Sequence, residues 1–331
     1  MKALHKIKSC KSLGCYYLLK KKIPLAVVLL ITDRCNSRCK YCQIWNRKKE
    51  EMTTEQIYTL IDEIVDMDCQ KFSIFGGEPL VRKDIGQVVN YAKNKGLFVS
   101  MGTNGWLLDK KIDEIKNIDM LNFSIDGPQE INDFQRMEGG YDKVINAIKI
   151  AKENNIKVIT QTVITKYNLK HLGHILEKAE ELDFLCGFQP AHNRPLSGDL
   201  LESVLPDKEE YKKTINWLIE QKRNKARVAN SIEGLKHLSY VYDWPKHKKH
   251  VKCFAPDLHV YVDTNGDVLP CLHVQEQITN SPNCTKIGFR NAYNQIHKLS
   301  CNGCWSWSNV EFNLLFSLKP ETVLNTIKIT S

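Results

Sequence analysis

Between Ala26 and about residue 222, short apolar runs alternate with amphipathic helical stretches, which restricts the chain to a parallel sheet covered by helices. Strand-like runs open near Ala26, Lys71, Leu97, Leu121, Lys157 and Leu185, and they are rich in β-branched and aromatic residues, as in VVLLI, FSIF and VITQTVI. The first helical segment starts at Thr53 with Gln56 three residues on, a capping-box pair, and then shows Ile57, Leu60, Ile61, Ile64 and Val65 on one face. Others cover about Asp84–Lys95, Asp109–Asn117, Asp142–Asn154 and Leu169–Leu182. Six such units predict an α/β fold, a partial (β/α)6 parallel barrel, followed by a small C-terminal module. Whether such a sheet closes or stays open, its active site lies at the carboxyl ends of the strands.

Beyond residue 225 the alternation stops. Helical Lys208–Lys222 gives way to Pro-, His- and Lys-rich sequence and then to a hairpin signal at Thr264-Asn265-Gly266-Asp267. Three segments follow: a basic N-terminal arm (1–22), a core domain (23–225) and a smaller module (226–331). Of the net charge of +9, residues 1–32 supply seven lysines and no acid, so the rest of the chain carries only +2. That is not the balance of a nucleic-acid-coating protein. The arm, KSLGCYYLLKKKIP, reads as a solvated lead-in, its alternative being a peripheral membrane contact with anionic lipid. The patch KHKKHVK from Lys246 to Lys252 reads as an exposed loop. The longest apolar run, Leu25 to Ile31, is too short for a membrane span. Asp33, Arg34 and Cys35 follow it instead of a small-residue cleavage site, so it reads as a buried strand of a cytoplasmic protein. A chain of 331 residues can bury a core without staples, so its twelve cysteines need another reason. In a reducing compartment, paired cysteines favour metal or catalysis.

Directly after the first strand comes Cys35-Asn-Ser-Arg-Cys39-Lys-Tyr-Cys42. Three thiolates on one loop suit an iron–sulfur cluster or zinc. A four-iron cluster held by three cysteines keeps one iron open to a small molecule. Zinc would want a fourth protein ligand, and no Cys or His follows until Cys69.

This Cys-x3-Cys-x2-Cys spacing, with an aromatic before the last Cys, resembles the radical SAM superfamily. Later motifs occur in that family's order over about residues 24–225. Gly76-Gly77-Glu78-Pro79 looks like its glycine-rich motif, which binds the amino group of S-adenosylmethionine; glycines there let backbone approach the ligand, and a carboxylate or carbonyl accepts from the ammonium. Thr103-Asn104-Gly105 and Ser124-Ile-Asp126-Gly127 resemble sites where polar side chains meet the cofactor's ribose or methionine part. Arg136 matches the family's contact to the cofactor carboxylate, for which a guanidinium is a natural partner. Gln189-Pro190 either lines the adenine pocket or simply ends a strand. The resemblance implies that an external donor such as a flavodoxin or ferredoxin reduces the cluster, which cleaves S-adenosylmethionine to a 5′-deoxyadenosyl radical. That radical takes a hydrogen atom from the substrate. No catalytic side chain beyond the cluster ligands is identified.

In the second module Cys253 is followed by twelve residues, Gly266, four more and Cys271, and then by Cys301-Asn-Gly-Cys304. The pattern resembles the SPASM and twitch auxiliary-cluster domains, and implies four ligands for a second 4Fe-4S cluster; structural zinc has the same ligand count. Only five cysteines follow residue 186, too few for two auxiliary clusters, so the match is to the one-cluster twitch form, with Cys284 spare or substituting for one ligand. Cys10, Cys15, Cys69 and Cys186 read as ordinary residues. The first cysteine loop is expected to need nothing from the C-terminal hairpin. About 22 residues precede the first strand, too few for a leader-peptide-binding domain, so a small-molecule or lipid-like substrate is expected. The alternatives are a maturase of ribosomal peptides, and an electron-transfer or zinc-binding protein without S-adenosylmethionine chemistry. The tail from Trp305 to Ile329 reads as closing a core.

Overall fold

Alternate residues of each strand face opposite sides of the sheet, and burial separates the two faces. The computed structural model describes residues 13–14, 16–19, 21–191, 204–243, 251–272, 278, 280–299, 301 and 303–330. Its strands β1 (Ala26–Leu30), β2 (Lys71–Phe75), β3 (Phe98–Thr103), β4 (Met120–Ser124), β5 (Lys157–Ile164) and β6 (Leu185–Pro190) pair in sequence order, each parallel to the next. Helices α1 (Thr54–Asp66), α2 (Ile85–Asn94), α3 (Leu108–Ile115), α4 (Gln129–Gln135), α5 (Gly140–Glu153), α6 (Leu172–Leu182) and α7 (Lys208–Arg223) return the chain. The capping box is present in both halves: Thr53 Oγ1 accepts from Gln56 N, and Gln56 Oε1 accepts from Thr53 N. Val27, Leu29, Phe72, Ile74, Val99 and Met101 pack against helix residues such as Ile57, Leu60 and Ile61 in one large core. On the other face Val28, Phe75, Asn122 and Gln161 keep partial exposure, while Ser73, Ser100 and Ile159 are buried.

The C-terminal hairpin, read from the sequence as part of a smaller module, joins the same sheet. β7 (His259–Val262) pairs parallel with β1, from Ala26↔His259 to Leu29↔Val262, and β8 (Val268–Leu269) pairs antiparallel with β7. One sheet therefore runs β6-β5-β4-β3-β2-β1-β7-β8. The remaining helices are α8 (Ile232–Leu238), α9 (Cys284–Ile287), α10 (Phe289–Gln295), α11 (Trp307–Phe316) and α12 (Pro320–Thr330). Trp307, Val310 and Leu314 of α11 pack with Ile159 of β5, so the tail does close a core. A Cβ at Gly187 would meet the Trp307 ring at 2.4 Å, which fixes glycine at that point of β6.

In the arm, residues 13–14 and 16–19 are helical. Tyr16 and Tyr17 pack edge-on to Phe254, whereas Leu18 and Leu19 are exposed. Cys10, Cys15 and most of the KHKKHVK patch (246–250) lie outside the described residues. Among the described residues no helix is long and apolar enough to cross a membrane.

The C-terminal helices meet α8 through two glutamates. Glu311 Oε1 accepts from Ser231 N at 2.8 Å and Ser231 Oγ at 3.0 Å, and Glu321 Oε1 accepts from Ile232 N at 3.1 Å. Burial pushes the Glu311 carboxyl up to about 7, against those hydrogen bonds and with the Glu321 charge adding to the rise. The folded state therefore holds this proton more tightly than the unfolded chain, whose glutamate titrates near 4.3. Its contribution is fully present below about pH 4.3 and is lost as pH rises to about 7. Glu311→Gln keeps an acceptor for Ser231 and removes the titration. The variant is expected to gain roughly 1–3 kcal/mol relative to wild type between pH 5 and 8. Urea unfolding at both pH values measures the gap; a constant gap would contradict the assignment.

Candidate active site

The cysteine loop leaves β1 at its carboxyl end, as parallel α/β topology requires of an active-site loop. Cys35, Cys39 and Cys42 are each half-buried. Ser37 N donates to Cys35 Sγ at 3.4 Å, and Ser37 Oγ lies 3.2 Å from Cys39 Sγ. Burial pushes the Cys35 thiol up to about 11, with Glu78 and Cys39 adding to it. Burial likewise takes Cys42 to about 12, with Cys39 and Cys35 adding. The three sulfurs thus lie within electrostatic reach of one another, and burial disfavours the thiolate at Cys35 and Cys42. A cationic iron cluster is a suitable counter-charge for them.

The glycine-rich segment after β2 is bound to this loop rather than merely near it. Gly77 N donates to Thr32 O at 2.7 Å and Glu78 N to Arg34 O at 2.9 Å. A Cβ on Gly76 would stand 2.4 Å from Thr32 O, and one on Gly77 would stand 2.2 Å from Arg34 O. The expectation assigned these glycines to a ligand's approach. The structure adds a reason, the approach of the cysteine loop's own backbone.

The Glu78 side chain is buried and turned inward: Oε1 accepts from Thr103 Oγ1 at 2.8 Å and Leu80 N at 3.1 Å, and Oε2 accepts from Asn104 N at 2.7 Å. Burial raises its carboxyl to about 7 despite these donors. It therefore positions Thr103 and Asn104. Thr103 is buried, with its Oγ1 also accepting from Gly105 N at 3.0 Å. Asn104 Nδ2 reaches back to Asn36 Oδ1 in the cysteine loop at 2.7 Å.

Asp126, expected beside the cofactor, is wholly buried and fully engaged. Its Oδ2 accepts from Tyr41 Oη at 2.5 Å and pairs with Arg136 Nε at 2.7 Å, and its Oδ1 accepts from Val163 N at 3.0 Å. Arg136 places Nη1 at 4.0 Å from Cys39 Sγ and its guanidinium 5.5 Å from the centre of the Tyr41 ring. Arg136 thus bridges Asp126 and the cysteine loop. Ser124 and Gln189 stand half-buried at the ends of β4 and β6. Tyr41, the motif's aromatic, gains a partner in Asp126. Asn36 lies inside the cysteine motif without an assigned role in the sequence reading, and Gln135, which accepts from Thr165 Oγ1, carries no local signal.

A second thiol group forms where the irregular segment before β7, the turn after β8 and the loop before α11 meet. Burial raises the Cys304 thiol far above its ordinary value, and Cys271, Cys253 and Cys301 all add to it. Cys253 in turn feels Cys301. Tyr261 of β7 is buried beside these thiols with its Oη on Asn309 Oδ1 at 2.5 Å. Cys284 is not among them: it is buried in the main core beside Gly266. Cys69 and Cys186 are also core residues. Among the described residues no three Cys, His, Asp or Glu side chains converge tightly enough to clasp one bare ion.

The family model for the radical SAM superfamily matches residues 29–179, a stretch that holds the three-cysteine loop and every strand-end motif up to Arg136. The chain belongs to the radical SAM superfamily. It is 34% identical over 170 residues to the Fe-coproporphyrin III synthase of Methanosarcina barkeri, covering 49% of this chain and 42% of that protein. It is 32% identical over 211 residues to the uncharacterized protein MJ0907 of Methanocaldococcus jannaschii, covering 58% and 70%. The chain thus spans less than half of the first of these relatives. Among solved structures, Streptococcus suis SuiB bound to S-adenosylmethionine superposes with a TM-score of 0.68 at 16% identity, over 84% of this chain and 67% of that one. SuiB bound to its precursor peptide SuiA gives the same score. At that identity the likeness concerns the fold: this radical SAM chain has the same α/β partial barrel.

Proposed function

We propose that this chain reductively cleaves S-adenosylmethionine at a 4Fe-4S cluster held by Cys35, Cys39 and Cys42, and abstracts a hydrogen atom from a small-molecule or lipid-like substrate. The carrying observation is the packing of that three-thiol loop onto Gly76, Gly77 and Asn104 at the carboxyl ends of the strands. When bound, the cluster and S-adenosylmethionine supply the 5′-deoxyadenosyl radical, which is cofactor chemistry. The protein's share is to orient and to exclude water. Backbone groups of Gly76 and Gly77 would meet the cofactor's amino group, Thr103 and Asn104 its ribose, and Ser124 and Arg136 its carboxylate. Arg136 also reaches the cysteine loop, its Nη1 standing 4.0 Å from Cys39 Sγ. An acidic flavodoxin or ferredoxin is the proposed electron source. For the arm, exposed Leu18 and Leu19 near exposed Lys21 support a contact with an anionic membrane surface.

We assign Cys253, Cys271, Cys301 and Cys304 to one auxiliary 4Fe-4S cluster of the twitch kind. The mutual influence of the four thiols supports this reading. SuiB's precursor peptide keeps a peptide maturase as the second reading. Anaerobically reconstituted protein is expected to release 5′-deoxyadenosine from S-adenosylmethionine and to carry about eight irons and no stoichiometric zinc. Replacing Cys301 and Cys304 together is expected to lower that to about four. Four irons with one bound zinc would overturn the auxiliary cluster and spare the radical chemistry.

A further inference from the structure

Asn36 sits between Cys35 and Ser37, on the turn where Ser37 N donates to Cys35 Sγ at 3.4 Å. The orientation of its side-chain amide is set by its neighbours. Trp106 N can only donate, and it lies 3.0 Å from one end of the Asn104 amide, which is therefore Oδ1. The other end, Asn104 Nδ2, is a donor 2.7 Å from Asn36, so the Asn36 atom that meets it is Oδ1. Asn104 is itself held from below, its backbone N donating to Glu78 Oε2 at 2.7 Å. The two N–H groups of Asn36 are thereby left facing away from Asn104. Asn36 Nδ2 is sealed from solvent and has no hydrogen-bond partner among the described residues.

A buried donor without an acceptor costs about 1–3 kcal/mol. Turning the amide over would not relieve it, because two NH2 groups would then face each other and Asn104 would be stranded as well. Nearby carbonyls of the loop are already engaged. Cys35 O and Ser37 O accept from Arg38 Nη1 at 2.7 and 2.9 Å, and Cys39 O accepts from Cys42 N at 3.1 Å. The acceptor that completes Asn36 therefore comes from outside the chain, and it comes to a residue bonded directly to Cys35. The sulfurs of an assembled cluster are anionic acceptors of that kind, and hydrogen bonds to them set its potential.

We infer that Asn36 Nδ2 donates to a sulfur of the cluster held by Cys35, Cys39 and Cys42, and so holds that cluster's reduction potential up. The inference rests on the radical reading of that loop. The reduced cluster carries one more negative charge than the oxidised one, so a donor to its sulfur stabilises the reduced form more. Asn104 and Glu78 act through Asn36, by keeping its oxygen turned toward them.

Reconstituted protein in which asparagine side chains carry heavy nitrogen gives the direct test. Pulsed electron paramagnetic resonance of the reduced cluster, without S-adenosylmethionine, is expected to show a coupled side-chain nitrogen that is absent from Asn36→Asp. The cluster in question is the one whose signal S-adenosylmethionine perturbs in a parallel sample. Asn36→Asp keeps Oδ1 for Asn104 and loses the donor, whereas Asn36→Leu loses both. Each is expected to lower the midpoint potential by about 59 mV, an about 10-fold change in a one-electron equilibrium, with iron per chain unchanged. No nitrogen coupling in wild type, or an unchanged potential in both variants, overturns the inference. A wild-type potential in Asn36→Asp alone overturns it too, since the bond to Asn104 would then be what matters. A coupling that appears only with S-adenosylmethionine bound would move the donor's partner from sulfur to the cofactor, against the inference. 5′-Deoxyadenosine release from the same wild-type preparation separates the two levels: its absence with the coupling retained sinks the radical reading alone.

Discussion

Alanine at Cys35, Cys39 or Cys42 is expected to reduce 5′-deoxyadenosine release to background while the protein stays folded. None of the three thiols belongs to the large core; Cys35 and Cys39 meet Ser37, and only Cys42 touches a small apolar cluster with Ile44 and Leu30. Losing a half-buried sulfur at such positions costs about 1 kcal/mol or less, against a core that spans the sheet. The chemical loss is of another order. Three thiolates leave one iron corner open, and two leave a cluster neither held nor shaped for one cofactor. Anaerobic turnover with dithionite, read by mass spectrometry, and thermal melting of the iron-free protein measure the two quantities separately. Wild-type release from any one variant would remove that cysteine from the site. A melting point lowered by 15 °C would show instead that the loop is structural.

That loop was readable because its spacing is local, with three cysteines within eight residues after an apolar strand. The six strand–helix units were readable for the same reason, since periods of two and of 3.6 are written in neighbouring residues. What stayed hidden depends on pairs distant in sequence. Nothing in GGEP announces that its glutamate turns inward to Thr103 and Asn104, twenty-five and more residues on. Nothing in SIDG announces that Asp126 accepts from Tyr41, 85 residues earlier. The β7 run HVYV looks like any short strand, and its docking on β1 follows from the shape of the whole sheet. The C-terminal tail was legible as core because of its apolar content, but α11's seat against β5 and Gly187 was not.

Asp263→Ala is expected to destabilise the protein by about 3–5 kcal/mol, the cost of stranding buried charge. The tip of the β7–β8 hairpin is tied to the segment that follows Cys42 by an ionic cluster. Arg47 pairs with the fully buried Asp263 and lies 3.6 Å from Asp33, and Lys49 reaches Asp263 at 2.7 Å and Asp267 at 3.5 Å. Thr264 Oγ1 donates to Asp33 Oδ1 at 2.8 Å, and Met52 N donates to Thr264 O at 3.0 Å. Burial alone would raise the Asp263 carboxyl, but Arg47 and Lys49 hold it below the ordinary range. Removing it leaves Arg47 enclosed with only the more distant Asp33. The double variant Arg47→Met with Asp263→Leu is expected to recover most of the loss, because it removes the buried charge together with its partner. Arg47 and Lys49 follow Cys42 by five and seven residues, so loosening them also loosens the cysteine loop. Asp263→Ala is therefore expected to lose iron from the three-cysteine site during gel filtration, whereas the Cys301 and Cys304 replacement spares that site. Denaturant midpoints and iron per chain test both halves. An unchanged midpoint would mean that the cluster merely decorates the β1–β7 contact, and full iron retention in a destabilised variant would confine the hairpin's role to folding.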